Sequence, residues 1–231
     1  MYYSQHRQDE YLDNFIFDPD KGSGYFVDIG AFDGVNFSNT YFLEKNRNWT
    51  GICVEPLPKQ FKKLQSNREC CVEGVVSNVD TKSVEFCELD GYCVMMSGIV
   101  DKYSDEHKAR IFNEQRDLGE DHLRNKIAVT NHRFSDLIKR TEIDLLDIDT
   151  GGGEVDILND IDMGKYTINA IIVNDDSNSS ELKVHMAKHV FNHVAYLGSD
   201  SLYVHERHMS NVKDDRPAGV SHTGQFFDKR K

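Results

Sequence analysis

The stretch that decides the fold is GYFVDIGAFDGVNFSNTYFLE, residues 24–44. Its apolar run Tyr25–Ile29 has the length of a buried strand, a turn with Gly30 and Gly34 follows, and a helical pattern continues to about Asn46. Glycines in such a turn let the backbone approach a ligand closely, and the N-terminus of the following helix offers free N–H groups. The stretch therefore predicts a ligand-binding turn between a first strand and a first helix.

Two acidic residues accompany this turn. Asp28 lies within the predicted strand, and Glu55 closes the next apolar run, 21 residues after Gly34. A carboxylate at the position of Glu55 can accept two hydrogen bonds from a ribose diol. Asp28 would repel a pyrophosphate but suits a cationic ligand, and S-adenosylmethionine carries a sulfonium, an amino group and a ribose. The turn therefore favours S-adenosylmethionine over NAD, with an NAD-dependent oxidoreductase and a purely structural turn as the alternatives.

Further apolar runs of strand length alternate with helical stretches on the C-terminal side of this unit. This alternation predicts a mostly parallel α/β sheet, and its last two strands read as an antiparallel hairpin at the sheet edge. The predicted strands are Tyr25–Ile29, Gly51–Val54, Cys70–Val76, Ile143–Ile148, Ile168–Val173, Phe191–Leu197 and Ser201–His205.

The composition limits the partners and the compartment. Asp and Glu total 39 against 27 Lys and Arg, and this excess disfavours nucleic acid, because phosphate binding requires clustered cations. No apolar run reaches the ~18 residues needed to span a bilayer, and the N-terminus lacks the apolar segment of a signal peptide. The 5 cysteines are an odd number without a CxxC pair, which indicates reduced thiols. We therefore expect a cytoplasmic protein with no membrane span.

Several stretches resemble the FkbM family of S-adenosylmethionine-dependent methyltransferases. They are SQHRQDEYLD at 4–13, the stretch 24–44, WTGICVEP at 49–56, Asn67-Arg68 and IDLLDIDTGGGEVDIL at 143–158, so that the similarity covers most of the first 175 residues. The resemblance implies a class I, Rossmann-like methyltransferase fold, with a doubly wound sheet of seven strands whose final strand is antiparallel. It further implies methyl transfer to a hydroxyl of a sugar or glycan.

The resemblance also implies where the cofactor binds. Asp28 and the two turn glycines would surround the methionine part, Glu55 would hold the ribose, and residues 77–78 would lie near the adenine. The positions expected to contact the cofactor are Asp28, Gly30, Phe32, Asp33, Gly34, Ser38, Asn39, Glu55, Ser77, Asn78, Gln8 and Asp9. A turn or surface role explains the last four equally well.

Acidic residues at two predicted strand ends suggest how the acceptor is activated. Methyl transfer to oxygen requires that the acceptor hydroxyl be aligned and lose its proton. Asp149 ends the fourth strand and Asp175 and Asp176 follow the fifth, and such carboxyl ends converge on one crevice. The three carboxylates would suit Mg2+ or Mn2+, with Asp149 as the base, and ordinary acidic turns are the alternative.

One position departs from the pattern of the family. After the fourth strand the family typically has Asp-x-Glu-Gly-x-Glu, whereas this chain has DTGGGE at 149–154. Gly151 therefore stands where a carboxylate is usual. This difference keeps a second hypothesis open, a non-catalytic or degenerate cofactor-binding module of the same fold.

The length of 231 residues favours one domain. We predict a single methyltransferase domain over 1–206 and a polar C-terminal arm over 207–231. Within the domain, 90–130 is expected to be an insertion or lid at the acceptor site, because a charged helical stretch lies there between two sheet segments. The oligomeric state stays open, a homo-oligomer included.

Overall fold

In the computed structural model, which describes residues 1–18, 20, 22–118, 124–175, 178–220 and 225–227, the strand of the unit at 24–44 is third from one edge of a nine-stranded sheet and has a parallel neighbour on each side. The strands are β1 Tyr25–Ile29, β2 Thr50–Glu55, β3 Cys71–Glu73, β4 Val75–Val76, β5 Ser83–Leu89, β6 Gly98–Ile99, β7 Arg124–His132, β8 Glu142–Ile148, β9 Thr167–Asn174, β10 Phe191–Leu197, β11 Asp200–His205, β12 Gly219–Val220 and β13 Phe226–Phe227. The α-helices are α1 Gln8–Tyr11, α2 Tyr41–Arg47, α3 Pro58–Asn67, α4 Asp105–Leu118, α5 Phe134–Leu137, α6 Glu154–Asp160 and α7 Ser180–Lys188.

The main sheet has the strand order β13-β12-β10-β11-β9-β8-β1-β2-β3. The strands from β9 to β3 run parallel to one another, whereas β11 is antiparallel to both of its neighbours, β9 and β10. The prediction of a mixed α/β fold with a mostly parallel sheet is therefore confirmed. The expected count of seven strands is wrong for this sheet, because β12 and β13 add to it beyond β10. The β10–β11 hairpin consequently lies inside the sheet, not at its edge.

Helices cover both faces of the main sheet, and the alternation of side chains along β1 shows why. Phe26 belongs to a core cluster that contains Leu64 of α3, whereas its neighbour Val27 belongs to a second cluster with Leu158 of α6. Successive side chains of a strand point to opposite faces, so both faces of β1 are apolar and require a covering layer. The loops at the carboxyl ends of the strands are left as the place where a ligand can bind.

The predicted strand Cys70–Val76 is divided in two at Gly74. This glycine has φ +139°, and a Cβ atom on it would lie 2.5 Å from the carbonyl oxygen of Thr130. The break ends β3 in the main sheet and sends β4 into a second sheet of order β4-β7-β5-β6.

The second sheet and α4 occupy residues 75–132, a region that begins before the predicted insertion at 90–130. They have a small core of their own, formed by Cys87, Leu89, Cys93, Met96 and Ile111. Residues 119–123 of the predicted insertion lie outside the described residues. Among the helices that the structure describes, none combines the length and the apolar character that crossing a bilayer would require.

Candidate cofactor and acceptor clefts

Two clefts share a wall at the carboxyl ends of β1 and β8. The first, of about 750 Å³, extends over Glu55 at the end of β2, and we call it the large cleft. The second, of about 510 Å³, extends over Asp147 and Asp200, and we call it the acidic cleft. The residues that line both are Gly30, Phe32, Met95 and Asp149. Two ligands bound side by side would therefore meet at these four residues.

The turn after β1 has a backbone that only a few residue types tolerate. Gly30 and Gly34 have φ values of +96° and +80°, in the left-handed region that favours glycine. Phe32, between them, also has a positive φ of 51°, which is uncommon for a bulky residue and costs on the order of 1 kcal/mol or more. The N–H of Phe32 donates a hydrogen bond of 2.9 Å to Oε2 of Glu55, which helps to hold this conformation.

Glu55 is the buried carboxyl group of the large cleft. Glu55 is only 4% exposed. Its second carboxylate oxygen, Oε1, accepts the N–H of Leu57 at 2.8 Å. Burial raises the pKa of Glu55 to about 8, although both backbone hydrogen bonds act in the opposite direction. Each carboxylate oxygen can accept a further hydrogen bond. Glu55 therefore keeps the capacity to bind a diol.

A buried arginine supports the turn from beneath, a role that the sequence alone did not assign. Arg68 Nε pairs with Oε2 of Glu44 at 2.6 Å, and its other nitrogens donate to the carbonyl of Gly34 at 3.0 Å and to Thr40 Oγ1 at 2.9 Å. The hydroxyl of Thr40 donates in turn to Oδ2 of Asp28 at 2.5 Å. Burial raises the pKa of Asp28, and the positive charge of Arg68 opposes that shift. The only sequence signal for this arginine was its place in the family-like stretch Asn67-Arg68.

The acidic cleft contains a buried carboxyl group and, beside it, a buried amide oxygen that has no hydrogen-bond partner among the described residues. Asp147, 5% exposed, accepts a 3.2 Å hydrogen bond from Nδ2 of Asn39. Burial raises the pKa of Asp147 well above its usual range, and the charges of Asp28 and Asp200 add to the shift. Oδ1 of Asn39 is buried and has no hydrogen-bond partner among the described residues. Since unsatisfied buried acceptors are costly, this surrounding fits a ligand that brings N–H donors and positive charge.

Most of the positions that the sequence assigned to the cofactor line one of the two clefts. The large cleft is lined by Gly30, Phe32, Glu55 and Ser77, and the acidic cleft by Gln8, Asp28, Gly30, Phe32, Ser38 and Asn39. These residues come from both sides of the turn and from three strand ends. This convergence is expected, because ligands of open α/β sheets bind at the carboxyl ends of the parallel strands.

Four of the assigned positions line neither cleft. Asp9 accepts the N–H groups of Tyr3 and Glu10 and so holds the N-terminal turn. Asp33 accepts two N–H groups within its own turn, Gly34 packs against α3, and Asn78 donates to Asp156 at 3.3 Å. The geometry gives these residues supporting roles around the clefts.

The predicted metal site has no support in the part of the chain that the structure describes. Asp175 Oδ1 accepts the N–H of Ser179 at 2.7 Å, and its Oδ2 accepts the hydroxyl of Ser201 at 3.3 Å, so this carboxylate is engaged at the start of α7. Asp176 lies outside the described residues. Within the described ranges, no three His, Cys, Asp or Glu side chains come together in a way that could hold an ion. Asp149 keeps its place at the junction of the clefts.

The glycine run after β8 is explained by packing. A Cβ on Gly151, which has φ +67°, would lie 2.9 Å from the carbonyl oxygen of Ser97. The next residue, Gly152, approaches the carbonyl of Lys102 in the same way, at 3.0 Å. Oε1 of Glu154 accepts the N–H groups of Thr150 and Gly152 and holds the loop in shape. A side chain at 151 would therefore push away the segment 96–102, whose residues Ser97, Ile99 and Lys102 line the large cleft.

A mostly parallel sheet with a glycine turn and clefts at the carboxyl ends of its strands is typical of α/β domains that bind a cofactor. The sequence profile of the methyltransferase FkbM domain matches residues 28–200, and the chain belongs to this family of methyltransferases. The predicted family membership is therefore confirmed.

One similar solved structure is the crystal structure of methyltransferase FkbM from Methylobacillus flagellatus KT, with 11% identity and a TM-score of 0.44. The alignment covers 85% of this chain and 50% of that one, so this chain spans half of that protein's length. No curated protein sequence matches the chain.

Proposed function

We propose that the chain transfers a methyl group from S-adenosylmethionine to a hydroxyl of a sugar or glycan. The observation that carries the proposal is the position of Asp149, which lines the large cleft and the acidic cleft together. The nucleoside part of the cofactor would lie in the first cleft, its methionine part would reach the turn side of the second, and an acceptor in the rest of the second cleft would meet the methyl group at this carboxylate. Bound S-adenosylmethionine would supply a methyl group activated by the sulfonium charge.

The residues of the large cleft fit the nucleoside part of the cofactor. Glu55 offers acceptors for the two ribose hydroxyls while its backbone partners keep it in place. The apolar side chains of Leu57, Val76 and Ile157 line the same cleft and suit an adenine ring, with Ser77 beside them. A cleft that is mostly apolar with a few placed polar groups is typical of cofactor sites.

The turn and the neighbouring acidic residues fit the methionine part. The buried Oδ1 of Asn39 can accept an N–H from the amino group, which would satisfy the oxygen that has no partner among the described residues. Asp28 and Asp147 are negative or become so when a cation approaches, and both line the acidic cleft next to the turn. Their field favours a sulfonium and an ammonium over an anionic group.

Asp149 is proposed as the base. A neutral alcohol is a weak nucleophile, so the acceptor hydroxyl needs a partner that accepts its hydrogen bond and takes its proton as the new C–O bond forms. Asp149 lies between the clefts, within reach of an acceptor at the junction, and its N–H is fixed by a 2.9 Å hydrogen bond to the carbonyl of Ile29. No metal is included in this mechanism, because the described residues offer no ligand set for one.

We further propose that residues 1–206 act as one methyltransferase domain and that 207–231 form an arm attached to it. The region 90–130 would supply the acceptor side of the site. Met95 supports this role because it also lines the acidic cleft, whereas Ser97, Ile99 and Lys102 line the large cleft, so part of the region would wall the cofactor as well.

The test is a methyl-transfer assay on the purified chain, with S-[methyl-3H]adenosylmethionine and a panel of methyl glycosides. Asp149→Asn is expected to lower turnover by roughly 10²-fold or more, the usual contribution of a positioned base, and to leave S-adenosylhomocysteine affinity unchanged. Asp136→Asn, at an exposed position of α5 outside both clefts, is the matched control. Full turnover by Asp149→Asn would overturn the assigned role of the base. An inactive chain that still binds the cofactor product would instead indicate the non-catalytic module.

A further inference from the structure

The rim of the acidic cleft is apolar, and the mechanism above assigns no role to it. Phe37 and Met95 line this cleft, and they are 48% and 41% exposed. Most large apolar side chains of the described chain are buried, and leaving such surface in water forgoes about 25 cal/mol per Å². A ligand that covers the rim would recover this free energy.

The backbone of Phe37 is held in an unfavourable conformation. Its φ is +62°, in the left-handed region, where a bulky residue costs on the order of 1–3 kcal/mol. An isolated parallel bridge joins Phe37 to Ser4, and the hydroxyl of the next residue, Ser38, accepts the N–H of Tyr41 at 3.0 Å. The neighbouring structure therefore fixes the strained residue from both sides. Strain of this kind, held in place at the edge of a cleft, is typical of ligand-binding positions.

The charges of the acidic cleft restrict what can bind beside Phe37. Its charged lining residues are Asp28, Asp147, Asp149 and Asp200, and none of its described lining residues is Lys, Arg or His. An anionic acceptor would be repelled by the ionised carboxylates of this lining, above all by the exposed Asp149 proposed as the base, whereas Asp28 and Asp147 are buried and have raised pKa values. Carboxylates and amides such as Gln8 are, however, good acceptors for hydroxyl hydrogens. The cleft thus combines hydroxyl acceptors with an apolar rim and excludes negative charge.

We propose that Phe37, together with Met95, is the platform for an uncharged pyranoside acceptor. The C–H face of a sugar ring carries partial positive charge and matches the negative face of an aromatic ring. Packed on Phe37, the sugar would have its hydroxyls within the acidic cleft and one of them beside Asp149. Sugars that carry a carboxylate or phosphate are rejected. This inference rests on the proposed function, since it places the acceptor next to the proposed base.

The experiment is saturation-transfer NMR on the chain saturated with S-adenosylhomocysteine. The probes are methyl α-D-glucopyranoside, methyl α-D-galactopyranoside, methyl α-D-mannopyranoside and methyl α-D-glucopyranosiduronate. We expect transfer to the ring C–H protons of at least one neutral glycoside and a signal roughly tenfold weaker for the uronate, because like charges repel. Phe37→Ala should abolish the saturation transfer to the glycoside, and Phe37→Trp should retain it. Val184→Ala, which trims a 70% exposed side chain of α7 outside both clefts, is the control and should leave it unchanged.

The possible outcomes separate this inference from the function on which it rests. Absence of S-adenosylhomocysteine binding would overturn the proposed function and the platform with it. Binding of S-adenosylhomocysteine without transfer to any neutral glycoside would overturn the platform alone. Equal signals in Phe37→Ala and the unmutated chain, or equal signals for uronate and neutral glycosides, would also overturn it.

Discussion

A Cβ atom on Gly30 would lie 1.7 Å from the carbonyl oxygen of Asp149. The ends of β1 and β8 approach each other at this point, and the N–H of Asp149 donates to the carbonyl of Ile29 at 2.9 Å. Gly30 is therefore required by its left-handed φ and by the close approach of the residue proposed as the base. The glycine turn and the junction of the clefts are one structural unit.

This relationship predicts the effect of Gly30→Ala. We expect a loss of about 3 kcal/mol or more in the free energy of unfolding, since the added methyl group forces the strand ends apart. Gly22→Ala is the matched control, because Gly22 has a similar φ of +94° but nothing within 4 Å of its Cβ position. The control should cost only about 1 kcal/mol, the penalty of the left-handed conformation. Urea unfolding measures both, and equal losses would contradict the role of the Asp149 contact.

Arg68→Lys is expected to be strongly destabilising, by about 3 kcal/mol. A lysine cannot bond to Glu44, Gly34 and Thr40 at once. The carboxylates of Glu44 and Asp28 would therefore lose part of the positive charge and hydrogen bonding that stabilise them. Arg47→Lys serves as the control. Arg47 pairs with Asp13 at 2.6 Å but is 32% exposed, and its replacement should cost about 1 kcal/mol or less. Similar unfolding midpoints for the two variants would show that Arg68 does not organise the turn.

The raised pKa of Asp147 predicts how stability depends on pH. The folded chain holds a proton on Asp147 at pH values where the unfolded chain has released it, so raising the pH favours unfolding. Asp147→Asn replaces the titratable carboxyl group by an amide whose oxygen can still accept the hydrogen bond from Asn39. The variant should therefore gain stability relative to the unmutated chain as the pH rises above about 4, the ordinary pKa of Asp, and the gain should be larger at pH 8 than at pH 5 by on the order of 1 kcal/mol or more. A difference that does not change with pH would contradict a protonated Asp147.

The raised pKa of Glu55 predicts that the chain releases protons when S-adenosylhomocysteine binds. Burial raises its pKa to about 8, so the carboxyl is largely protonated at pH 7 in the free chain. Ribose hydroxyls donate to the ionised form and so favour loss of that proton. The observed binding enthalpy of S-adenosylhomocysteine at pH 7 should therefore differ between Tris and phosphate buffers. Glu55→Gln should weaken binding about tenfold and reduce the buffer dependence, and an unchanged dependence would contradict the assignment.

The sequence predicted the parts of the site that depend on local signals. The strand, the glycine turn and Glu55 are close in the chain, and their spacing alone indicates a ligand site. The junction role of Asp149 also followed, because residues at the carboxyl ends of parallel strands meet at one edge. The mostly parallel α/β character of the sheet needed only the pattern of apolar runs, whereas the order of its strands was not predicted.

The features that the sequence missed depend on distant contacts or on backbone angles. Arg68 reaches Gly34 across 34 positions, and no local pattern indicates that hydrogen bond. The residue types around Phe37 give no indication that its φ is positive. The strands Gly219–Val220 and Phe226–Phe227 contain two residues each, too few to show an alternating pattern. The metal prediction relied on the clustering of Asp residues, and Asp175 is instead used at the start of a helix.

The most direct test of the account is a calorimetric titration of S-adenosylhomocysteine into the folded chain at pH 8. We predict one binding site with a dissociation constant in the micromolar range, a free energy of roughly −8 kcal/mol. Asp149→Asn should retain this affinity, because the residue is assigned to the acceptor hydroxyl. The absence of binding to a chain that unfolds cooperatively would contradict the assignment of the large cleft to the cofactor, and with it the proposed methyl transfer.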